Sequence, residues 1–233
     1  MSQILDVAIL GATGAVGQRF IQLLENHPWF RVAEVIGSAR SAGKTYREAV
    51  NWVLDGQPPS RVADLTVLPL DATFSSPLIF SALPKETAVE IEPKLASEGY
   101  VVCTNASAHR MAADVPLVLP EVNHDHLGLI DVQRANRGWT SGALVANSNC
   151  TTMPVVMALK PLMGFGVKKF NMVSMQAISG AGYPGVASLD ILDNVIPYVG
   201  SDEQKMQTET LRMLGELNGD EVAWHNAAAS AAC

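Results

Sequence analysis

Cys150 is the residue of this sequence best suited by its surroundings to covalent chemistry. It lies in the stretch NSNCTT at 147–152, between an apolar, strand-like run (143–146) and a segment with helical spacing of apolar residues (155–162). Unpaired N–H groups and the helix dipole at a helix N-terminus favour a thiolate over a thiol. The sequence therefore predicts a cysteine nucleophile here, although a single Cys between apolar segments is more often a small buried hydrophobe.

A glycine turn near the N-terminus predicts nucleotide binding. The residues GATGAVG at 11–17 follow a strand-like run (4–10) and precede a segment with helical apolar spacing (16–24). In such a unit, glycines allow a tight turn, a close approach of the pyrophosphate and close packing of helix on strand. We predict cofactor contacts from Gly11, Thr13, Gly14, Ala15 and Val16.

The segment after the second predicted strand (31–36) indicates which dinucleotide would bind. An acidic residue at this place binds the ribose 2′-hydroxyl of NAD, whereas hydroxyls and a cation suit the 2′-phosphate of NADP. The sequence has Ser38, Arg40 and Ser41 and no carboxylate. Arg40 and Lys44 alone would be ordinary solvated loop charges. Together with the glycine turn at 11–17, the pattern predicts NADP as the cofactor.

Two further strand ends carry candidate ligands. Ser81 and Leu83 follow a predicted strand and could line the cofactor cleft, and a plain strand-to-helix turn is equally consistent with them. The stretch NASAHR at 105–110 contains Asn105 and Arg110, an amide and a guanidinium suited to an oxyanion such as phosphate. His124 and His126 are predicted to be surface residues, and no ligand spacing predicts a metal site.

The second half of the chain predicts a different architecture. Residues 167–178 alternate as a long antiparallel strand would, which places the start of a second domain near 148. Gln176 leads into a glycine-rich loop that we expect to form a wall of the site, with Ser179 and Gly180 contacting the cofactor. Capping-box spacing at 201–204 predicts a helix to about 217, and a lysine in its first turn, at 205, suggests a role other than helix stabilisation.

Composition narrows the class of protein and its partners. Alternating strands and helices in the first half predict an α/β fold with a doubly wound parallel sheet. A net charge of -7 and a pI near 5.2 argue against nucleic acid or an anionic membrane surface as a partner. No run of about 18 uncharged apolar residues predicts a membrane span. Three widely spaced cysteines and a start without a leader pattern predict a cytoplasmic protein.

Six ordered motifs together resemble the archaeal and fungal branch of the aspartate-β-semialdehyde dehydrogenases. They are GATGAVG (11–17), SARSAGK (38–44), NASAHR (105–110), SNCTT (148–152), QAISGAGYPG (176–185) and DEQK (202–205). The resemblance implies a Rossmann NADP-binding domain at 1–147. It also implies an incomplete α+β catalytic and dimerisation domain with an antiparallel or mixed sheet at 148–233.

The resemblance also assigns roles to individual residues. It makes Cys150 the nucleophile and Gln176 the residue that orients the acyl group. Arg110 and Lys205 match the residues that hold phosphate. Glu203 matches the residue that binds the substrate amino group, with Asp202 as the alternative because the register of the motif is ambiguous.

The implied activity is the NADPH-dependent reductive dephosphorylation of L-aspartyl 4-phosphate to L-aspartate 4-semialdehyde through a cysteine thioester. This is an oxidoreductase step in lysine, threonine and methionine biosynthesis, with a small-molecule substrate, phosphate and a homodimer or homotetramer. Two alternatives are a malonyl-CoA-type acyl-CoA reductase on the same scaffold and a non-catalytic NADP-binding remnant.

One departure from the family supports the last alternative. The family continues beyond the strand at the end of this sequence with a carboxylate-binding Arg and a Gly-His-Thr motif that carries the acid/base His. This sequence stops at Cys233, and His225 does not match that motif. We therefore expect an N-terminal fragment of a longer enzyme, or a shortened gene product, with little turnover of its own.

Overall fold

The computed structural model describes residues 4–232, and six of their strands form one sheet. These strands are β1 (Leu5–Leu10), β2 (Phe30–Ile36), β3 (Val67–Leu68), β4 (Leu78–Ser81), β5 (Val101–Thr104) and β6 (Ala143–Ala146). Their order is β3-β2-β1-β4-β5-β6, and the pairs β1–β2, β1–β4, β2–β3 and β4–β5 run parallel. The chain adds β2 and β3 on one side of β1 and then crosses to the other side to add β4, β5 and β6, as in doubly wound dinucleotide-binding folds. The predicted α/β class is confirmed.

The sheet is buried on both faces. Residues 7–10 of β1 are all fully buried, so β1 is a continuous apolar run and not an alternating one. Helices cover both sides of a parallel sheet, which is why its strands lack a polar face. Val7, Ile9, Ile21, Val35 and Tyr46 belong to one core cluster around β1 and β2.

Helices connect the strands of the sheet. The bounds are α1 (Ala15–Leu23), α2 (Tyr46–Ala49), α3 (Ser60–Ala63), α4 (Lys85–Ser97), α5 (Pro120–Asn123), α6 (Leu129–Arg137), α7 (Thr152–Leu159), α8 (Ser188–Ile191) and α9 (Asp202–Met213). The sequence at 46–54 predicts a short helix, but α2 ends at Ala49. Pro93 lies inside α4 without ending it.

The chain packs as two compact units. The first contains the residues up to Ala108 together with Arg134–Leu144, and the second contains His109–Gln133 and the residues from Val145 onward. This division by contacts assigns 109–133 to the second unit. The functional boundary predicted between 147 and 148 remains a prediction.

The second unit has a mixed strand arrangement. Strand β7 (Lys169–Val173) pairs in parallel with β10 (Ala228–Ala232), and β8 (Glu216–Asn218) pairs antiparallel with β9 (Glu221–Ala223). The expected long antiparallel strand at 167–178 is therefore wrong in both length and direction. Alternation of exposed and buried residues reports a half-exposed face and does not encode the direction of the neighbouring strand.

Helix α9 begins where the sequence predicted and ends earlier. Its first residue follows Ser201, but the Ser201 side chain makes no capping hydrogen bond. The helix ends at Met213 instead of 217 because the chain turns there into the hairpin of β8 and β9.

Candidate active site

The glycine turn of the first unit is a place of close backbone approach. Gly11 follows β1 with a φ of +73°, and a Cβ there would lie 2.7 Å from the carbonyl oxygen of Ala82. Ala82, which follows β4, donates its N–H to the carbonyl of Leu10 at 2.8 Å. The segments that follow β1 and β4 are thus in direct contact. Only glycine fits at position 11.

The other two glycines of the turn have different surroundings. A Cβ on Gly17, inside α1, would lie 2.7 Å from the Cα of Ala12, so this glycine lets the helix pack against the turn. A Cβ on Gly14 would meet nothing closer than 3.5 Å. Gly14 is exposed, which leaves room for a ligand against its backbone.

Two buried side chains fix carbonyl groups of the turn. The Tyr46 hydroxyl donates to the carbonyl of Ala12 at 2.9 Å, and burial raises the pKa of this hydroxyl. Gln18 Nε2 donates to the carbonyl of Thr13 at 3.0 Å, while Gln18 Oε1 accepts the N–H of Val53 at 2.8 Å. Neither side chain was predicted from the sequence. The available signal was the position of Gln18, a polar residue on the apolar side of α1.

The residues predicted to recognise the 2′-phosphate are only partly available. Ser38 and Arg40 are exposed after β2. Ser41 is buried, and its hydroxyl donates to the carbonyl of Ser38 at 2.9 Å. An exposed guanidinium beside a hydroxyl, with no carboxylate between 37 and 44, fits a phosphate monoester.

The side chain of Ser81 points into the protein. Its hydroxyl donates to Glu92 Oε1 at 2.6 Å, and the Thr104 hydroxyl donates to the same oxygen at 2.6 Å. Glu92 is fully buried on α4. A ligand contact from Ser81 would therefore come from its backbone, whose carbonyl already accepts the N–H of Asn105 at 2.9 Å. Leu83, the other residue predicted there, is also buried.

In the second unit, Cys150 is exposed and precedes α7 by two residues. Asn149 organises this corner through its side-chain oxygen. That oxygen accepts the N–H of Thr151 at 2.9 Å and the Thr151 hydroxyl at 2.7 Å, and lies 3.6 Å from Cys150 Sγ. The carbonyl of Asn149 accepts the first helical N–H of Thr152 at 3.0 Å. The thiol is thus placed at the N-terminal end of α7.

Cys150 opens onto a cavity of about 440 Å³ within the second unit. The predicted residues Gln176, Ser179 and Gly180 line the same cavity, together with the apolar side chains of Met172 and Met206. The structure therefore brings four of the predicted site residues to one opening. A thiol with an amide and two small residues in one cavity can hold an acyl group for attack.

Asp202 lies at the centre of a polar network beside this cavity. Its carboxylate accepts from Lys205 Nζ at 2.8 Å, Asn149 Nδ2 at 3.4 Å and Gln176 Nε2 at 3.4 Å. Desolvation alone would raise the pKa of Asp202, but hydrogen bonds from Lys205 and Gln176, with the Lys205 charge, outweigh it and lower the pKa. Asp202 thus contacts both Gln176, which lines the cavity, and Asn149, which precedes Cys150.

Arg110 is held by a buried ion pair. Its Nη1 lies 3.1 Å from Glu209 Oε1, and both side chains are almost fully buried. Glu209 Oε2 accepts the main-chain N–H of Asn149 at 2.6 Å. Arg212 donates to the carbonyls of Arg110 at 2.6 Å and Val115 at 2.8 Å.

The sequence analysis missed Glu209 and Arg212. Residues 202, 205, 209 and 212 follow the spacing i, i+3, i+7 and i+10, which places them along one face of a helix. That spacing was the available signal, and it would have grouped both residues with Lys205.

One histidine assignment is corrected by the structure. His124 is exposed as expected, but His126 is buried. Its Nδ1 lies 2.9 Å from Asn123 Nδ2 and its Nε2 lies 3.2 Å from the carbonyl of Gly215. Desolvation lowers the pKa of His126, so the imidazole is a neutral structural group. Among residues 4–232, no cluster of three or more His, Cys, Asp or Glu side chains could hold a metal ion.

The strand order and the glycine turn define the class: a doubly wound α/β protein of the dinucleotide-binding type. The family profile of the semialdehyde dehydrogenase NAD binding domain matches residues 6–130, and that of the semialdehyde dehydrogenase dimerisation domain matches residues 159–233. The chain belongs to the semialdehyde dehydrogenase family. Within the described residues 4–232, no helix has the length and apolar character needed to cross a membrane.

Individual relatives agree with this assignment. The chain is 50% identical over 229 residues to the aspartate-semialdehyde dehydrogenase of Archaeoglobus fulgidus, which covers 98% of this chain and 66% of the relative. It is 47% identical over 216 residues to that of Schizosaccharomyces pombe, covering 91% of this chain and 60% of the relative.

A solved structure has the same fold. The Candida albicans aspartate-semialdehyde dehydrogenase, crystallised with NADP, matches with a TM-score of 0.89 and 34% identity, covering 99% of this chain and 67% of that chain. The chain thus spans about two thirds or less of the length of these curated relatives.

Proposed function

We propose that this chain carries the nucleophile and the cofactor-binding part of an NADP-dependent reductase. Its substrate would be L-aspartyl 4-phosphate and its product L-aspartate 4-semialdehyde. The observation that carries the proposal is the exposed Cys150 at the start of α7, which shares a cavity with Gln176. The archaeal and fungal relatives are aspartate-semialdehyde dehydrogenases, and their activity supports the choice of substrate.

The first half of the reaction is acyl transfer to sulfur. The Cys150 thiolate attacks the acyl carbon, the C–O bond to phosphate breaks, and a thioester remains on Cys150 while inorganic phosphate leaves. Lys205 and Arg110 are the cations proposed to receive the phosphate. Gln176 orients the acyl group. The positive end of the α7 dipole, beside Cys150, would stabilise the tetrahedral oxyanion.

We assign recognition of the substrate amino group to Asp202 in preference to Glu203. Asp202 is the acidic residue that contacts Gln176 and Asn149, the immediate neighbours of the nucleophile. Its lowered pKa keeps it anionic at neutral pH, as an ammonium ligand requires.

The chain has the features that an NADP site requires. The glycine turn at 11–17 would accept the pyrophosphate, Ser38 and Arg40 with the backbone near Ser41 would accept the 2′-phosphate, and the backbone at 81–83 would border the cofactor. The cofactor contacts of Ser179 and Gly180 remain predictions from the sequence. When bound, NADPH supplies the hydride that reduces the thioester. Cys150 then departs as a thiolate, and the aldehyde is released.

We further propose that the protein works as a homodimer or homotetramer in the cytoplasm. The match to a dimerisation domain over 159–233 supports self-association. Many large apolar side chains between 173 and 199 are exposed, among them Val173, Met175, Leu189 and Val195. Such surface is typical of a region that another protein surface covers.

The decisive experiment detects the acyl-enzyme by mass spectrometry. The protein is incubated with L-aspartyl 4-phosphate, and its tryptic peptides are searched for an acyl adduct. Cys150→Ser should abolish the adduct and keep NADPH binding, measured by fluorescence titration. Cys103→Ser is the matched control, because desolvation raises the pKa of the Cys103 thiol to about 11 and leaves it unreactive.

The same experiment separates the alternatives. An adduct that forms from malonyl-CoA and not from the acyl phosphate would identify an acyl-CoA reductase. NADPH binding without any adduct would identify a non-catalytic protein. An adduct that survives Cys150→Ser would refute the assignment of the nucleophile.

A further inference from the structure

Glu209 joins two parts of the second unit that the proposed reaction needs at the same time. One carboxylate oxygen, Oε1, accepts from Arg110 Nη1 at 3.1 Å. The other, Oε2, accepts the main-chain N–H of Asn149 at 2.6 Å. The first partner is the proposed phosphate ligand, and the second is the residue immediately before Cys150.

The chemistry of these partners requires a carboxylate at position 209. Both partners are N–H donors, and an ionised carboxylate presents an acceptor oxygen to each of them. An amide of the same shape has one acceptor end and one donor end, so it can satisfy only one partner. The second partner would then face an N–H group with no acceptor, in a place where Glu209 is only 2% exposed.

Each of the two partners of Glu209, Asn149 and Arg110, makes a further contact that affects its position. On one side, the Asn149 side-chain oxygen accepts from Thr151 and lies 3.6 Å from Cys150 Sγ, so the position of the Asn149 backbone sets the position of the thiol. On the other side, the carbonyl of Arg110 is held by Arg212, which lies on the same helix as Glu209. Helix α9 thus contacts the side chain of Arg110 through Glu209 and its main-chain carbonyl through Arg212.

We propose that Glu209 is a positioning residue that sets the distance between the anion-binding guanidinium of Arg110 and the thiol of Cys150. It touches neither substrate nor cofactor. Through Glu209, both the guanidinium of Arg110, which would bind the anion, and the loop that carries Cys150 are attached to helix α9. The proposal rests on the proposed function, which assigns Arg110 to phosphate.

The test uses alkylation of Cys150 by iodoacetamide, followed by peptide mass spectrometry that separates Cys150 from the other cysteines. The rate is measured over a series of inorganic phosphate concentrations. In the native protein, phosphate should slow the alkylation of Cys150. In Glu209→Gln, the phosphate concentration that gives half-protection should rise about tenfold, because the charge-assisted contact that places Arg110 is lost.

Three further variants separate positioning from a general structural effect. Glu209→Asp keeps two acceptor oxygens and should recover part of the protection. Thr210→Val is the matched control, since Thr210 is the buried neighbour of Glu209 on α9 and its hydroxyl has no hydrogen-bond partner among residues 4–232. It should behave as the native protein. All variants are checked by circular dichroism.

If Glu209→Gln fails to fold, the charge-neutral double variant Arg110→Met/Glu209→Gln takes its place. The amide can then turn its oxygen to Asn149, because no guanidinium competes for it. This variant should alkylate at the native rate and show no phosphate protection. An altered alkylation rate without phosphate would overturn the proposal.

The outcomes for the two proposals differ. Absence of phosphate protection in the native protein would remove Arg110 as the proposed anion site, and the function proposal would lose that element. Native protection with an unchanged half-protection concentration in Glu209→Gln would overturn only the role of Glu209. Tighter protection in Glu209→Gln would show that Glu209 competes with phosphate for Arg110, which also overturns it.

Discussion

The hydroxyl of Tyr46 donates a 2.9 Å hydrogen bond to the main-chain carbonyl of Ala12, and this contact fixes one peptide group of the glycine turn. Tyr46 is fully buried and begins the short helix α2. With Gln18 on the carbonyl of Thr13, it fixes the orientation of two consecutive peptide groups. A turn whose carbonyls are already bonded inside the protein is preorganised for a ligand that accepts hydrogen bonds from N–H groups.

Tyr46→Phe should therefore weaken NADPH binding several-fold and lower the free energy of unfolding. The Ala12 carbonyl loses its donor in a buried place, which costs about 1–3 kcal/mol. Fluorescence titration with NADPH and urea unfolding measure the two effects. Tyr100→Phe is the control, because its hydroxyl bonds to Phe74, away from the turn, so it should lower stability but not affinity. Equal affinities of the two variants would contradict the anchoring role.

Gly17→Ala and Gly14→Ala form a matched pair within the same turn. The first places a Cβ 2.7 Å from the Cα of Ala12, and overpacking of this kind costs about 1–3 kcal/mol. The second meets nothing closer than 3.5 Å and should leave the free energy of unfolding unchanged. Urea unfolding distinguishes them, and a destabilisation of similar size in both variants would show that the space around Gly17 is not the cause.

Arg212→Met should be among the most destabilising single changes in the second unit. It leaves the carbonyls of Arg110, Ala112 and Val115 without their guanidinium donor, at a cost of roughly 3 kcal/mol or more. Arg47→Met is the comparison, since the Arg47–Asp64 pair lies on the surface and contributes at most about 1 kcal/mol. Chemical denaturation compares the two, and a loss for Arg212→Met no larger than for Arg47→Met would be the contrary result.

His126 predicts a pH dependence of stability. Its folded-state pKa is lowered by burial, while in the unfolded chain the imidazole has its ordinary pKa of about 6.5. Above about pH 6.5 both states are neutral and His126 contributes no slope. As the pH falls below that value, the unfolded state takes up the proton first, so stability decreases until the folded-state pKa is reached. Unfolding free energies at pH 7 and pH 5 measure this decrease.

His126→Gln should reduce that decrease, and His124→Gln should not, because His124 is exposed. The difference between the two variants isolates the buried imidazole from the carboxylates that also titrate at low pH. Identical pH profiles for the two variants would show that His126 does not carry the effect.

Elements defined by neighbouring residues were predictable from the sequence. The glycine turn joins β1 to α1 within a few residues, and the Cys150 loop joins β6 to α7 in the same way, so local order in the chain places both. Local sequence also predicted Gln176 as part of the wall of the site, and Gln176 lines the cavity with Cys150. Sequence alone left Asp202 and Glu203 as alternatives, because the choice depends on which carboxylate reaches Asn149.

Contacts between distant residues could not be predicted in the same way. Glu209 lies 99 residues after Arg110 and 60 after Asn149, and nothing local indicates either partner. His126 is polar and follows three polar residues (123–125), and one of the contacts that accompany its burial is to the carbonyl of Gly215, 89 residues later. The direction of β7 depends on β10, which is also remote in sequence.

Arg212 has a consequence for the order of folding during synthesis. It bonds the carbonyl of Arg110 from 102 residues further along the chain. While the ribosome makes the intervening residues, the loop at 110–115 has only water to satisfy those carbonyls, because buried carbonyls need a partner. This loop therefore stays without its donors until α9 is made, 102 residues after Arg110, and it is a point where a chaperone or a protease can act before α9 arrives.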